Sequence, residues 1–190
     1  LSSLLILIGL SLLGTAGWLW YDGNVDRSGW QLLEDGGYSY RDFHGKPING
    51  WLELEDRTCY FDAEARMVTG WQEIDGRQYH FGSDGVLSTG WTELDGSRYY
   101  FGDDGVLRTG WLKLPEGTYY LDDTGAMAVD WRTIDAKEYY FLADGTMAVG
   151  WQELPKGHYF FDSEGHYLVG VRQMEDGERF FLDDGTMATD

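Results

Sequence analysis

The chain has 190 residues, of which 16% are aromatic, 27 are glycine and 3 are proline. It carries 33 Asp and Glu against 14 Lys and Arg, a formal net charge of −19. This charge argues against nucleic-acid binding, which needs a basic stripe, and against docking on an anionic lipid surface. Cys59 is the single cysteine, so neither an intrachain disulfide nor a cysteine-based zinc cluster can form. The four histidines follow no metal-binding spacing, and we expect no metal or cofactor.

The first segment is apolar. Residues 1–20 read LSSLLILIGLSLLGTAGWLW and contain no charged side chain, and about 20 apolar residues is the length of a bilayer-crossing helix. Trp18, Trp20 and Tyr21 follow at its end, where aromatic rings favour the headgroup zone. We predict a single-pass transmembrane anchor. A cleavable signal helix, with small residues at 14–16, is the alternative. Both readings place the rest of the chain on the cell surface.

A regular repeat follows a short linker at residues 21–28. Eight repeats begin at Gly29, Gly50, Gly70, Gly90, Gly110, Asp130, Gly150 and Gly170. In six of them a tryptophan recurs every 20 residues, at Trp51, Trp71, Trp91, Trp111, Trp131 and Trp151. A short fixed period is typical of an architecture in which each repeat packs only against its neighbours. Residues 29–190 are therefore predicted to form a stack of small copies.

Each repeat has the pattern of a β-hairpin. GWTELDGSRYYFGDDGVLRT reads as a strand, a tight turn, a strand, a second turn and an apolar link. Asp75-Gly76 and Asp95-Gly96 favour two-residue hairpin turns. Turns such as Pro115-Glu116-Gly117 are expected to be one residue longer and closed by a glycine bulge. Because one hairpin is barely stable alone, the predicted fold is all-β, a solenoid of about eight stacked hairpins behind the apolar helix.

The repeat pattern Gly-Trp-x-x-x-Asp-Gly-x-x-Tyr-Tyr-Phe-x-x-x-Gly-x-Met-x-x resembles the cell-wall-binding repeat superfamily of Gram-positive surface proteins. The resemblance covers residues 29–190. It implies a hairpin solenoid that binds sugars or choline in grooves between consecutive hairpins. Branches of the superfamily include choline-binding modules, glucan-binding repeats and the C-terminal repeats of large clostridial toxins.

One position separates these branches. Choline-binding repeats generally carry a second Trp immediately before Tyr-Tyr, and their rings form a cage for a quaternary ammonium. Here that position holds Thr58, Gln78, Arg98, Thr118, Glu138, His158 and Glu178. The repeats therefore look more like the glucan-binding and toxin branches, and choline or teichoic-acid binding stays as an alternative.

The candidate ligand-binding residues are the repeat tryptophans and the first tyrosine of each Tyr-Tyr pair. They are Trp71, Trp91, Trp111, Trp131, Trp151, Tyr79, Tyr99, Tyr119, Tyr139 and Tyr159. Amphipathic rings suit a groove that is apolar on one side and wet on the other, although each ring could instead fill the core. The phenylalanines at 81, 101, 141 and 161 are predicted to be core. Acidic pairs such as Asp103-Asp104 are interpreted as turn residues, not as a calcium site or a glycosidase pair.

Three places depart from the pattern. The second repeat has Cys59 in place of tyrosine and Ala65 in its second turn, so a groove built from this repeat is doubtful. Asp130 replaces the usual glycine, and Val171 replaces the usual tryptophan. We expect binding to stop at these interruptions, and the last repeat to serve as a cap or a partner-facing end.

These observations predict a non-catalytic, membrane-anchored surface module that binds cell-wall polysaccharide or glucan. The chain lacks a nucleophile elbow and a phosphate loop, so no enzyme activity is expected. A structural spacer or accessory subunit that binds a protein partner in a membrane complex is the second hypothesis. Several weak sites on one module would raise its avidity for a polymer.

Overall fold

The computed structural model describes residues 28–188, which form two compact units that divide between Ser88 and Thr89. Every regular element in this range is a strand, and the strands form eight two-stranded antiparallel sheets. Residues 28–188 contain no helix long and apolar enough to cross a membrane. The predicted helix at 1–20 lies outside the described residues. Within them, the prediction of an all-β chain of about eight hairpins is confirmed.

The first unit holds three hairpins. They pair β1 (Gly29–Leu32) with β2 (Tyr38–Arg41), β3 (Gly50–Leu54) with β4 (Arg57–Phe61), and β5 (Gly70–Ile74) with β6 (Arg77–Phe81).

The second unit holds five hairpins. They pair β7 (Gly90–Leu94) with β8 (Ser97–Phe101), β9 (Gly110–Leu114) with β10 (Gly117–Leu121), β11 (Asp130–Ile134) with β12 (Lys137–Phe141), β13 (Gly150–Leu154) with β14 (Gly157–Phe161), and β15 (Gly170–Met174) with β16 (Gly177–Phe181).

The first turn of each repeat in β3–β16 contains two residues. Asp95 and Gly96 have φ of 51° and 79°, the left-handed pair that a two-residue hairpin turn requires, as predicted. In the hairpin of β9 and β10, Leu114 pairs directly with Gly117. The prediction of a longer turn there is wrong, because Gly117 is the first residue of the second strand and does not belong to the loop.

The second turn of each repeat is held by an acidic side chain. Asp104 Oδ1 accepts a hydrogen bond from the Val106 N–H at 3.1 Å. Asp184 Oδ1 accepts from the Thr186 N–H at 3.0 Å and from its hydroxyl at 2.6 Å. These bonds support the interpretation of the acidic pairs as turn residues. Among residues 28–188, no three His, Cys, Asp or Glu side chains are grouped to hold a metal ion.

Neighbouring hairpins within a unit are joined through the apolar link. In the second unit, the Met127 N–H donates to the Arg98 carbonyl at 2.8 Å, and the Met147 N–H donates to the Thr118 carbonyl at 2.7 Å. The Met127 side chain lies against Gly145, where an added Cβ would fall 2.3 Å from the sulfur. Gly145 also has a φ of 88°, so both the turn and the close approach require glycine.

Each hairpin has two different faces, because alternate residues of a strand point to opposite sides. We call the side with Trp91 and its cross-strand partner Tyr100 the Trp face, and the side with Tyr99 and Phe101 the Phe face. Within a unit, the Trp face of one hairpin packs on the Phe face of the next, as where Trp111 contacts Phe141 at a centroid distance of 6.0 Å. The four phenylalanines predicted as core, at 81, 101, 141 and 161, are at most 1% exposed, which confirms that prediction.

Candidate ligand-binding corners

Three rings meet where two hairpins of a unit stack. At Trp111, the cross-strand Tyr120 lies 5.2 Å away between ring centroids at an interplanar angle of 70°. Tyr139 on the Phe face of the next hairpin lies 4.8 Å away at 71°. We call such a set an aromatic corner and name it by its tryptophan. The near-perpendicular rings form walls that meet at an angle, not a flat platform.

The same geometry recurs in both units. Around Trp51 the centroid distance is 5.0 Å to Tyr60 and also to Tyr79. Around Trp91 the centroid distances are 5.1 Å to Tyr100 and 4.9 Å to Tyr119.

The Trp131 corner carries a fourth ring. Its centroid distances are 5.2 Å to Tyr140 and 5.4 Å to Tyr159. Tyr167 adds its ring at 5.9 Å, from the link position that most other repeats fill with Met or Leu. The Tyr167 hydroxyl donates a hydrogen bond to Glu138 Oε2 at 3.0 Å.

The corners differ in how much tryptophan surface they leave open. Trp51, Trp111 and Trp151 are 42%, 41% and 45% exposed. Trp91 and Trp131 are partly buried and less exposed than these three. The Arg98 guanidinium carbon lies 4.8 Å from the Trp91 ring centroid, and Tyr167 covers part of Trp131.

Of the predicted ligand-binding residues, the tryptophans lie at the open side of the corners. The tyrosines at 79, 119, 139 and 159 are only 2–8% exposed, and Tyr99 is half-buried. They therefore form the floor of a corner and do not offer an open stacking face. Trp71 is 40% exposed and lies 5.4 Å from the His80 ring.

Five further aromatic residues form the partly exposed walls of the corners and are absent from the predicted set. These are the second residues of the Tyr-Tyr pairs, Tyr100, Tyr120 and Tyr140, together with Tyr60, which follows Cys59, and Trp51. Antiparallel pairing places each of these tyrosines opposite the tryptophan nine positions earlier, as in Trp111 and Tyr120. Counting outward from the two-residue Asp95-Gly96 turn gives Tyr100 opposite Trp91, whereas the longer turn predicted at residues 115–117 would have placed Leu121 opposite Trp111.

Carboxylates surround the corners of the second unit. Burial raises the pKa of Tyr119, and the charges of Glu116 and Asp144 raise it further. Burial also raises the pKa of Tyr159, with additional contributions from Asp184 and Glu138. The tyrosines therefore stay neutral at physiological pH, and the local potential favours a positively charged ligand.

The irregular second repeat takes part in two neighbouring ring sets, one around Trp30 and one around Trp51, and only the first is altered. Cys59 is fully buried, in a cluster with Trp30, Tyr40 and Phe61, where a regular repeat would supply tyrosine. Burial raises the pKa of its thiol. The Trp51 corner, in contrast, has the regular distances. The doubt about grooves of this repeat therefore applies to the Trp30 side alone.

The two later departures have different consequences. Asp130 adopts a φ of 61° in place of glycine, and the Trp131 corner still forms beside it. At the last hairpin, Val171 and Phe180 are 56% and 50% exposed. Arg179 stands where the floor tyrosine of the Trp151 corner would be, and its guanidinium bonds to Asp176 at 2.7 Å. The Trp151 corner therefore lacks one ring.

Fold and site together define a class: a β-hairpin repeat protein with aromatic corners between successive hairpins. Comparison with known families agrees with this class. The choline-binding repeat model matches residues 88–130, and the putative cell wall binding repeat model matches residues 69–87 and 130–147. These matches support the resemblance to the cell-wall-binding repeat superfamily that the sequence indicates.

Solved structures show the same fold. Choline binding protein F from Streptococcus pneumoniae, in the presence of a peptidoglycan analogue, is 30% identical, with a TM-score of 0.77 over 85% of this chain and 58% of that one. The choline-binding domain of CbpL from Streptococcus pneumoniae is 26% identical, with a TM-score of 0.61 over 85% of this chain and 86% of that one. The chain thus spans little more than half the length of the first of these proteins. Among curated protein sequences, no match is found.

Proposed function

We propose that this chain is a non-catalytic cell-surface module that binds choline-bearing polymers of the bacterial cell wall through its aromatic corners. The observation that carries the proposal is the three-ring corner, which recurs at Trp51 and Trp111 with a tryptophan face more than 40% exposed. A quaternary ammonium is attracted to the negative faces of several rings at once, so angled walls suit it.

The charge of the molecule supports a cationic ligand. The chain has a net charge of −19, and the carboxylates that act on the corner tyrosines include Glu116, Asp144, Asp184 and Glu138. An acidic surface raises the local concentration of cations and their association rate. A neutral glucan gains nothing from this field.

The matching family model and the similar solved structures also favour choline as the ligand. The match over residues 88–130 is to a choline-binding repeat, and this segment contains the Trp91 corner and the Trp111–Tyr120 wall. Two of the similar solved structures are a choline binding protein and a choline-binding domain. We therefore rank choline above glucan, although the second Trp before Tyr-Tyr is missing. Tyr60, Tyr100 and Tyr120 provide the second wall that this Trp would otherwise form.

Calorimetric titration of the full chain with choline chloride tests the proposal. The matched control is 3,3-dimethylbutan-1-ol, which has the shape of choline without its charge. We expect saturable choline binding, much weaker binding of the alcohol, and fewer sites in Trp111→Ala and in Trp51→Ala. Equal binding of the two compounds, or no choline binding by a folded chain, would overturn the proposal.

Glucan binding is the second candidate, favoured by the broad exposed faces of Trp51, Trp111 and Trp151. Such faces can stack on sugar rings. Dextran in place of choline tests it: binding that the same tryptophan variants weaken, without any response to choline, would favour the glucan reading. In either case several corners on one chain raise avidity for a polymer.

The module also needs a means of attachment to the cell. We propose that residues 1–20 anchor it in the membrane. A spacer or accessory subunit for a membrane complex stays the alternative, and the exposed Val171 and Phe180 of the last hairpin suit a protein contact. Co-purification of a stoichiometric membrane partner that choline does not displace would favour that alternative.

A further inference from the structure

The Trp91 corner already holds a cation. The Arg98 guanidinium carbon lies over the Trp91 ring at 4.8 Å from its centroid, within the distance at which a cation is attracted to a ring face. Arg98 reaches this place from its own hairpin, because it pairs with Glu93 while Trp91 pairs with Tyr100. All four side chains therefore share the Trp face.

Arg98 contacts the Trp91 ring and forms no ion pair among the described residues, although its charge contributes to the lowered pKa of the Asp144 carboxyl. Within residues 28–188, the ion pairs of arginine join Arg57, Arg66, Arg108 and Arg179 to aspartates, and none of these ion pairs includes Arg98. Arg98 is close enough to Tyr119 for its charge to act against the burial-raised pKa of that floor residue. Its guanidinium thus lies over the Trp91 ring and near enough to the floor tyrosine for its charge to act there.

The exposed fractions of the tryptophans agree with the placement of Arg98 over Trp91. Trp111, with Thr118 at the equivalent position, is 41% exposed, and Trp51, with Thr58 there, is 42% exposed. Trp91, with Arg98 there, is less exposed than either. The three corners otherwise have centroid distances of 4.8–5.2 Å between tryptophan and tyrosine rings.

We propose that Arg98 is a resident cation that closes the Trp91 corner, so that the residue before each Tyr-Tyr pair decides which corners accept ligand. This inference rests on the proposed function for its consequence, although not for the contact itself. An external quaternary ammonium must displace the guanidinium, so only the fraction of molecules with Arg98 turned away can bind it. The Trp91 corner therefore has a weaker apparent affinity than the Trp111 corner, by about three- to thirty-fold.

A reciprocal exchange tests the proposal. Indole N–H signals of the ¹⁵N-labelled full chain, assigned with Trp91→Phe and Trp111→Phe, are followed during titration with choline chloride. In the unsubstituted chain, the Trp111 signal should saturate at lower choline than the Trp91 signal. Arg98→Thr should bring the Trp91 midpoint to that of Trp111, and Thr118→Arg should raise the Trp111 midpoint. Arg98→Lys keeps a cation and should leave Trp91 weaker than Trp111.

Equal midpoints at Trp91 and Trp111 in the unsubstituted chain would overturn the proposal, as would midpoints that the exchange does not move. A second readout needs no ligand. The Trp91 ring current should shift the Arg98 side-chain protons upfield, and Trp91→Ala should remove that shift. Absence of the shift refutes the resident contact. Its presence in a chain whose indoles ignore choline would refute the proposed function and leave the contact established.

Discussion

The two faces of each hairpin differ in what they do. The Phe face supplies phenylalanines that are at most 1% exposed and floor tyrosines that are nearly buried. The Trp face supplies rings such as Trp51 and Trp111, whose open fraction exceeds 40%. The same 20-residue pattern thus encodes a layer that holds the repeats together and a layer that is available to a ligand. Substitutions on the two faces should therefore differ in how much stability they remove.

The largest expected effect is on the Phe face. Phe141→Ala should destabilise the chain by about 3–5 kcal/mol, because it removes a fully buried ring and leaves a cavity. Trp111→Ala should cost less, about 1–2 kcal/mol, because 41% of that side chain is exposed. Urea unfolding of both variants checks this. Equal losses of stability would show that the Phe face does not contribute more to the free energy of unfolding than the Trp face does.

Gly125 tests the contact between neighbouring hairpins. A Cβ at Gly125 would fall 2.7 Å from a methyl carbon of Leu107, whereas a Cβ at Gly110 meets nothing within 4 Å. Both glycines have left-handed φ, which costs alanine about 1–2 kcal/mol at either site. Gly125→Ala should therefore lose about 1–3 kcal/mol more than Gly110→Ala in thermal unfolding. If the two variants unfold alike, the link side chain does not pack into the turn.

Cys59 reports on burial of the Phe face in the first unit. Its thiol is fully buried and burial raises its pKa, so reaction with a thiol reagent at pH 8 should require opening of that unit. Thr118→Cys in a Cys59→Ala background places a thiol on the Trp face of the second unit, and it should react much faster. Rapid labelling of native Cys59 would contradict the burial.

The smallest expected effect lies outside both faces. Arg66 forms an ion pair with Asp35, and hydrogen bonding to its guanidinium lowers the pKa of that carboxyl to about 2. A lowered pKa stabilises the fold above the unfolded value of about 3.9 and loses this effect as pH falls towards 2. Both groups are exposed, so Arg66→Ala should lower Tm only slightly at pH 7. The difference should fall to a small fraction of its pH 7 value near pH 2, and a difference that persists there undiminished would assign it to packing.

Much of this architecture follows from local chemistry. Asp75-Gly76 and Asp95-Gly96 fix two-residue turns, and the 20-residue period fixes the repeats, so the hairpins and the phenylalanine core are readable from the chain alone. The turn at Pro115 is one residue shorter than its sequence predicts, because Gly117 starts the second strand and does not close the loop. This shorter turn places Tyr120 opposite Trp111.

Whether each corner is open to a ligand could not be predicted from these local patterns. Whether Tyr139 offers a face or an edge depends on how two hairpins stack, which no spacing within one repeat specifies. Arg98 over Trp91 is likewise a choice of side-chain conformation. At the same position, Glu138 accepts a hydrogen bond from Tyr167 instead. Sequence identifies the variable position, and only the structure shows what each residue does there.

The position of the ligand can be seen in a crystal of the full chain soaked at a choline concentration between the midpoints of Trp111 and Trp91. We expect density for a trimethylammonium group within about 6 Å of the Trp51 and Trp111 ring centroids, with the Trp91 corner still filled by Arg98. Open faces of Trp51 and Trp111 that stay empty while choline binds elsewhere would contradict the proposed function.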